Sequence, residues 1–254
     1  MTAVQGARPM NRSSRTVAAA ALTAAGILAG AWLPAAADDR VLWAEVTIPP
    51  GRDGVVEAAG FTGPALGEGS TLTLTAPAAA RVTGVPLGTP GYRGAVVADG
   101  RGAVYTAVSA DHPWRTGGFP FVQAVPADAV PGTRLSGCAL RLADADGVTR
   151  AAGGCQVTVG LGEPVLTRPE SGVPLDARPA VAGTAHPGAR VTVSDKDGHE
   201  VCAGTAGSDG HWTCTPGAAL SDGPNRLQAT AALNGVSASS EQIQINVGEA
   251  APAR

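Results

Sequence analysis

Four cysteines, grouped in two local pairs, constrain this 254-residue chain more than any other feature of its sequence. The pairs are Cys138 with Cys155 and Cys202 with Cys214. Neither pair has the Cys-x-x-Cys spacing typical of redox or metal sites, so we expect two structural disulfides. Each would close a loop of about a dozen residues or more, worth roughly 3 kcal/mol by the loop-entropy estimate. Disulfides of this kind indicate an oxidising destination.

The strands around the first pair are predicted to form a hairpin that brings the two sulfur atoms together. A two-residue turn at Asp146-Gly147 pairs residues whose numbers sum to 293, and 138 plus 155 is 293. Cys138 then shares a face with Leu140 and Cys155 shares a face with Val157, so the bridge should lie on the apolar side.

The second pair is centred on Ser208, in the middle of a Gly-Ser-Asp turn. If the flanking strands pair about Ser208, Cys202 and Cys214 face each other across the ladder. Apolar and polar residues alternate between turns over the surrounding stretch, 179–233, which predicts short antiparallel strands.

The C-terminal part contains a series of small motifs, which in chain order are Gly183-Thr184-Ala185, Pro187-Gly188-Ala189, Val191-Thr192-Val193, Asp209-Gly210, Trp212 and Thr215-Pro216. The order and spacing of these motifs resemble a bacterial immunoglobulin-like (Big-type) repeat. The resemblance covers roughly Pro164 to Val247. It implies a seven-stranded sandwich of the kind that serves secreted and cell-surface proteins as a stalk, a spacer or part of an adhesin, without a shared catalytic residue.

The N-terminal segment, 1–37, is predicted to be a secretory signal peptide. Three arginines precede an apolar run from Val17 to Leu33, and three alanines end at Ala37, after which we expect cleavage. The alternative is an uncleaved membrane anchor, because the run is about as long as the shortest spanning helices. No later segment is apolar enough to span a bilayer, so the mature chain is expected to be secreted, either free or associated with the cell wall.

The remaining chain is long enough for two domains. Glycine (35) and proline (20) are frequent and charged residues make up 15%, which favours short strands and turns over amphipathic helices. About seven alternating segments precede residue 164. The predicted fold class is therefore all-β, with two tandem immunoglobulin-like sandwiches at 38–163 and 164–248 and a short tail at 249–254.

The loop from Asp111 to Phe121 is the richest candidate for ligand binding. Aromatic rings beside a guanidinium group can form a stacking surface for a sugar or a peptide. The candidate residues are His112, Trp114, Arg115, Phe119 and Phe121. The alternative is that these rings pack into the open end of a sandwich or beside an edge strand. Trp43, out of phase with its apolar neighbours, is a second possible surface aromatic.

Two Asp-x-Asp-Gly segments, 144–147 and 195–198, look like the beginning of a calcium loop. Neither continues with the further oxygen ligands or the distal glutamate of an EF-hand, and Asp-Gly already satisfies a hairpin turn. The four histidines do not have the short spacings of a zinc site. We therefore expect no metal and no cofactor.

Composition and motifs also restrict the function. With a net charge of −3 and no basic stripe, the chain is not expected to bind nucleic acid. Motifs for hydrolases, metalloproteases and nucleotide binding are absent from the sequence. Four carboxylates could in principle converge, although no spacing pairs them: Glu45, Glu57, Glu68 and Asp111.

These observations favour a secreted or envelope-associated, non-catalytic protein with a binding or structural role. A cell-wall glycan or another extracellular protein is the expected partner. One alternative is a carbohydrate- or peptide-recognition protein that uses the 111–121 loop, and another is a small secreted enzyme. The sequence leaves the oligomeric state open.

Overall fold

The computed structural model describes residues 41–248, apart from residues 62, 87, 89, 111–113, 115–117 and 173. The predicted signal peptide at 1–37 and the tail at 249–254 lie outside the described residues. Within the described residues the chain is all-β, as the alternating pattern predicts, and it contains nineteen strands. No segment of this part forms a helix with the length and apolar character needed to cross a membrane.

Ten strands lie before residue 160 and form two sheets. The larger sheet has the order β1-β10-β9-β3-β6-β5 with β8 beside β10, and the smaller has the order β2-β7-β4. Neighbours are antiparallel except for β1 and β10. The strands are β1 (Val41–Ile48), β2 (Asp53–Ala58), β3 (Thr71–Thr75), β4 (Arg81–Gly84), β5 (Tyr92–Val96), β6 (Gly102–Ala107), β7 (Phe119–Ala124), β8 (Arg134–Leu135), β9 (Ala139–Ala143) and β10 (Thr149–Val159).

The core of this half lies between the two sheets. Leu74 of β3, Tyr105 of β6 and Phe121 of β7 are fully buried, while the residues between buried positions face solvent. This alternation follows from the strand period of two, which sends successive side chains to opposite faces. The larger sheet therefore has one face in the core and one face open to solvent.

Nine strands after residue 164 form a second pair of sheets. One sheet has the order β11-β13-β16, and the other has the order β12-β19-β17-β14-β15 with β18 beside β17. The resemblance implied seven strands, and the structure has nine, of which β12 is only two residues long. The strands are β11 (Val165–Arg168), β12 (Pro174–Leu175), β13 (Val181–Thr184), β14 (Arg190–Ser194), β15 (Glu200–Thr205), β16 (His211–Cys214), β17 (Gly223–Leu233), β18 (Val236–Ser239) and β19 (Ile243–Val247).

The buried clusters divide at the same place as the sheets. The clusters of the first half contain residues from Leu42 to Val159, and the cluster of the second half runs from Leu161 to Val247. Gly160 donates its N–H to Ile48 O (2.8 Å), which fixes the end of the first half one residue before Leu161. Each half thus has its own core, in keeping with the proposed division into two domains.

Candidate functional site

The aromatic residues of the 111–121 loop that the structure describes are core residues. Trp114, Phe119 and Phe121 are only 3%, 6% and 0% exposed. Trp114 and Phe119 have ring centroids 4.8 Å apart, and Tyr92 contacts both rings, at 4.8 and 5.0 Å. Such tilted and edge-to-face pairs stabilise a core beyond the area that they bury.

The polar atom of Trp114 also has its partner inside the fold. Trp114 Nε1 donates to Ser70 Oγ (2.7 Å), and Ser70 Oγ donates to Gly67 O (2.6 Å). A buried indole N–H needs such a partner because leaving it unpaired is costly. The cavity beside the ring is apolar and has a volume of about 10 Å³, too small for a sugar or a peptide.

The prediction that Trp114, Phe119 and Phe121 contact a ligand is therefore corrected. Their rings pack in the core of the first half, in contact with one another and with Tyr92 and Tyr105. His112 and Arg115 lie outside the described residues, so their role remains a prediction.

Cys138 and Cys155 form a disulfide with their Cα atoms 5.1 Å apart. The predicted register, in which the numbers of paired residues sum to 293, holds for the ladder from Ala151–Leu142 to Gly154–Ala139. Cys138 and Cys155 are both partly buried and contact the apolar clusters of the first half. The bridge therefore lies on the apolar side of the hairpin.

The turn of this hairpin differs from the predicted two-residue turn. Asp144 N donates to Val148 O (3.0 Å) and Gly147 N donates to Asp144 O (3.0 Å), so three residues form the loop. Gly147 has φ 79°, the left-handed conformation that this loop type requires. The longer loop shifts the register by one, and a bulge between Thr149 and Ala151 shifts it back to 293.

Cys202 and Cys214 also form a disulfide, with Cα atoms 5.8 Å apart, but they are not ladder partners. Cys202 in β15 pairs with Val193, and Cys214 in β16 pairs with Val181 of the other sheet. Backbone hydrogen bonds join the two flanking segments at the tip, where Gly207 N donates to His211 O (2.8 Å), and at the other end, where Gly217 N donates to Val201 O (3.3 Å). The predicted pairing across one ladder is thus wrong: this bridge connects the two sheets.

Both Asp-x-Asp-Gly segments form turns held by their first aspartate. Asp144 Oδ1 accepts hydrogen bonds from the N–H groups of Asp146 (3.1 Å) and Val148 (2.8 Å). Burial raises the pKa of Asp144, but the N–H of Val148 and the guanidinium of Arg150, whose Nε lies 2.6 Å from Oδ2, outweigh it and hold that pKa below its usual value.

The second turn repeats this arrangement with a different charged neighbour. Asp195 Oδ1 accepts from the N–H groups of Asp197 and His199, both at 2.9 Å. Burial again raises the pKa of Asp195, and the N–H groups of His199 and Asp197 outweigh it, so that the pKa is lowered. His199 Nδ1 lies 3.5 Å from Asp195 Oδ2.

Asp195, Asp197 and His199 place one potential metal-ligand atom each within 4.8 Å of one another. One of these carboxylates is ion-paired with a lysine, since Lys196 Nζ lies 2.8 Å from Asp197 Oδ2. Two of the three side chains are exposed. The hydrogen bonds described above account for this cluster as a hairpin turn, the interpretation that the sequence favours.

The structure describes three of the four carboxylates that could serve an enzyme. Glu45 of β1 and Glu57 of β2 are exposed. Trp43 and Ala59 exchange backbone hydrogen bonds as an antiparallel bridge, so the two strands run side by side at that point although they belong to different sheets. Glu68 is exposed in the segment before β3, and Asp111 lies outside the described residues.

A groove of about 440 Å³ lies beside the end of β7, but it offers little for specific binding. Its lining is mostly alanine, with Val125 and Pro126. The one charged side chain in the lining is Arg81, which donates from Nη1 to Asp99 O (2.9 Å) and so is engaged within the fold. A ligand site needs a few convergent polar groups, which this lining lacks.

The open face of the larger sheet presents Trp43. Its side chain is 59% exposed, whereas the other aromatic side chains in the described part of the chain are buried or partly buried. Trp43 lies on β1 between the buried residues Leu42 and Ala44, as its phase in the sequence predicts. Its direct neighbour in the sheet is Gly154 of β10.

Comparison with known proteins identifies a family in the second half. Residues 173–247 match the bacterial Ig domain family. The second half contains a bacterial Ig domain. This match confirms the resemblance drawn from the sequence motifs. No curated protein matches the chain.

Several solved structures share parts of the fold at low similarity. A biofilm-associated protein BSP domain is 15% identical with a TM-score of 0.29, and the match covers 83% of this chain but only 30% of that one. The third cohesin ScaC from Acetivibrio cellulolyticus is 10% identical over 47% of this chain and 99% of its own, with a TM-score of 0.34. The C-terminal domain of the Streptococcus agalactiae AgI/II polypeptide BspA is 10% identical over 81% and 96%, with a TM-score of 0.28. At these TM-scores the likenesses carry no functional conclusion.

Proposed function

We propose that this chain is a secreted, non-catalytic protein with a binding or structural role outside the cell or at its envelope. The observation that supports it most is the pair of disulfides, one in each half, which needs an oxidising compartment to form and persist. The bacterial Ig domain at 173–247 agrees with such a location, because these domains are common on secreted and surface proteins.

A non-catalytic role is supported by the distribution of reactive groups. Glu45, Glu57 and Glu68 are exposed and line neither of the two cavities described above, and the cluster at Asp195 forms a hairpin turn. In this proposal the bacterial Ig domain acts as a spacer or docking unit, and the first half carries a binding surface for an extracellular partner. His112 and Arg115 remain candidates for contact with that partner.

Export and oxidation can be tested together. The full chain would be produced with its own N-terminus, and cell fractions would be analysed by mass spectrometry under non-reducing conditions. We expect a mature form beginning at Asp38, found outside the cytoplasm, with Cys138 linked to Cys155 and Cys202 linked to Cys214. A chain lacking residues 1–37 is the control and should stay in the cytoplasm. Free thiols on a cytoplasmic full-length chain would contradict the proposal.

The non-catalytic part needs its own test. Purified mature protein would be assayed against glycoside, ester and peptide substrates. Hydrolysis that disappears in Glu45→Gln or Glu57→Gln, with folding unchanged by circular dichroism, would show that the protein is an enzyme and would overturn this part of the proposal.

A further inference from the structure

A level row of small side chains crosses the open face of the larger sheet. The ladder registers place Trp43 beside Gly154, Gly154 beside Ala139, and Ala139 beside Thr75. All four residues are exposed. They lie on four neighbouring strands, so the row is about 14 Å long at about 4.8 Å per strand spacing.

Polar side chains border this row on both sides. On one side Gln156 Nε2 donates to Glu45 Oε1 (3.1 Å), which joins an amide and a carboxylate on adjacent strands. On the other side Arg141 donates from Nε to Thr149 Oγ1 (2.8 Å) and from Nη2 to Gly147 O (2.7 Å). These contacts hold the planar groups in place before any ligand arrives, which lowers the entropy cost of binding.

The indole of Trp43 is positioned by glycines rather than covered by side chains. A Cβ added at Gly60 would lie 3.2 Å from Trp43 Cδ1, so the backbone at Gly60 supports one edge of the ring. Gly154, the ladder partner of Trp43, adds no side chain over it. The ring therefore keeps 59% of its surface open at one end of the row.

The chemistry of this face fits an uncharged sugar polymer better than other partners. A pyranose ring has an apolar face of C–H groups that can stack on an indole, and hydroxyl groups at its rim that can bond to amides, carboxylates and guanidinium groups. Glu45 and Arg141 flank the row with opposite charges, whereas the other guanidinium groups on this face, Arg134 opposite Thr158 and Arg93 opposite Thr106, stand two residues further along their ladders. The row itself therefore carries no net charge that would attract a polyanion. Val41, 56% exposed and two residues before Trp43, is a second exposed apolar side chain at this end of the row, but the floor of glycine, alanine and threonine does not extend it into the large apolar patch typical of a protein interface.

We infer that the open face of the larger sheet binds an extended, uncharged polysaccharide laid across the strands. Trp43 stacks on one sugar ring, and Glu45, Gln156 and Arg141 bond to the hydroxyl groups of the following sugars. This inference rests on the proposed binding role and gives it a ligand class and a surface.

The test is binding of the oxidised mature chain to three probes: insoluble cellulose, insoluble chitin and soluble mixed-linkage β-glucan. We expect saturable binding to at least one of them. Trp43→Ala should weaken that binding about tenfold or more, which corresponds to about 1.4 kcal/mol. Gln156→Ala should weaken it by a smaller factor, because it removes hydrogen bonds but leaves the stacking ring.

Val55→Ala is the matched control, because Val55 is exposed at 48% on β2 of the other sheet and should leave the affinity unchanged. Absence of binding to all three probes would overturn the inference, and so would equal loss in Trp43→Ala and Val55→Ala. Self-association in analytical ultracentrifugation that Trp43→Ala abolishes would assign the face to a second copy of the chain instead. Export and disulfide formation are measured separately, so the broader proposal would survive these outcomes.

Discussion

The two halves of the molecule use their disulfides for different purposes. Cys138–Cys155 connects neighbouring strands of one hairpin, whereas Cys202–Cys214 connects β15 and β16, which belong to different sheets. The first bridge reinforces strands that the hairpin already holds together. The second holds two layers against each other, a role that packing would otherwise have to fill.

The cores explain why the second half needs a bridge between its layers. The first half buries several aromatic rings in contact with one another, including those of Tyr105, Trp114 and Phe121. The second half buries one aromatic residue, Trp212, among valine, leucine, isoleucine and alanine. A core with fewer large side chains gains less from burial, so a covalent link between sheets contributes a larger share of its stability.

The largest expected effect is in the aromatic core. Trp114→Ala should lower the free energy of unfolding of the first half by about 3–5 kcal/mol, because it removes a buried ring and leaves a cavity. Urea denaturation followed by circular dichroism measures this change. The exposed Trp43 is the matched control: Trp43→Ala should change stability by no more than about 0.5 kcal/mol. Equal effects of the two substitutions would show that Trp114 is not part of the core.

The next effect compares the two bridges directly. Replacing both Cys202 and Cys214 by alanine should destabilise the second half by about 2–5 kcal/mol. Replacing both Cys138 and Cys155 should cost the first half less, because its hairpin ladder and aromatic core remain. Thermal melting of each double variant tests the order, and a larger loss in the Cys138/Cys155 variant would break the comparison.

A smaller effect distinguishes the two buried tryptophans. Trp114→Phe loses the hydrogen bond to Ser70 and should cost about 1–3 kcal/mol more than Trp212→Phe, whose buried Nε1 has no hydrogen-bond partner among the described residues. Both substitutions remove similar volume, so each serves as the control for the other. Equal losses in chemical denaturation would show that the Ser70 contact contributes nothing.

The smallest effect concerns the two aspartate turns and depends on pH. The pKa values of Asp144 and Asp195 are lowered below 3.8 in the folded chain. Each carboxylate therefore adds stability above that pH, and the contribution is lost as the pH falls through the folded pKa. Asp144→Asn and Asp195→Asn should each lower the melting temperature at neutral pH, with the difference from wild type shrinking in acid. A difference that grows in acid would contradict the hydrogen-bonded role of the carboxylates.

In the first half, the sequence predicted strands well where apolar and polar residues alternate and poorly where they do not. Seven of its ten strands overlap segments that the sequence predicts as strands, but β2, β4 and β8 do not. β2 begins with Asp53-Gly54 and β8 has two residues, so neither presents an apolar period long enough to identify. The predicted pairing of β9 with β10, in which paired residue numbers sum to 293, was confirmed. It holds because the bulge before Ala151 cancels the extra loop residue, which the sequence pattern did not predict.

The candidate site was harder to predict than the fold. An aromatic loop looks the same in sequence whether its rings face a ligand or the core, and only burial separates Trp114 from Trp43. Gln156 and Arg141 have no distinctive motif. They join Trp43 on one surface only because β1 pairs in parallel with β10, the strand that follows β9 in the chain and pairs with it.

The sequence alone determined the all-β class, the two cysteine pairs and the bacterial Ig-like character of the second half. These properties depend on residue types at short range, through turn chemistry, the strand period and motif order. The tertiary structure decided which strands pair, that Cys202–Cys214 links two sheets, and which aromatic residues are buried. Those outcomes depend on contacts between residues far apart in the chain, where burial of apolar surface selects one arrangement among many that local patterns allow.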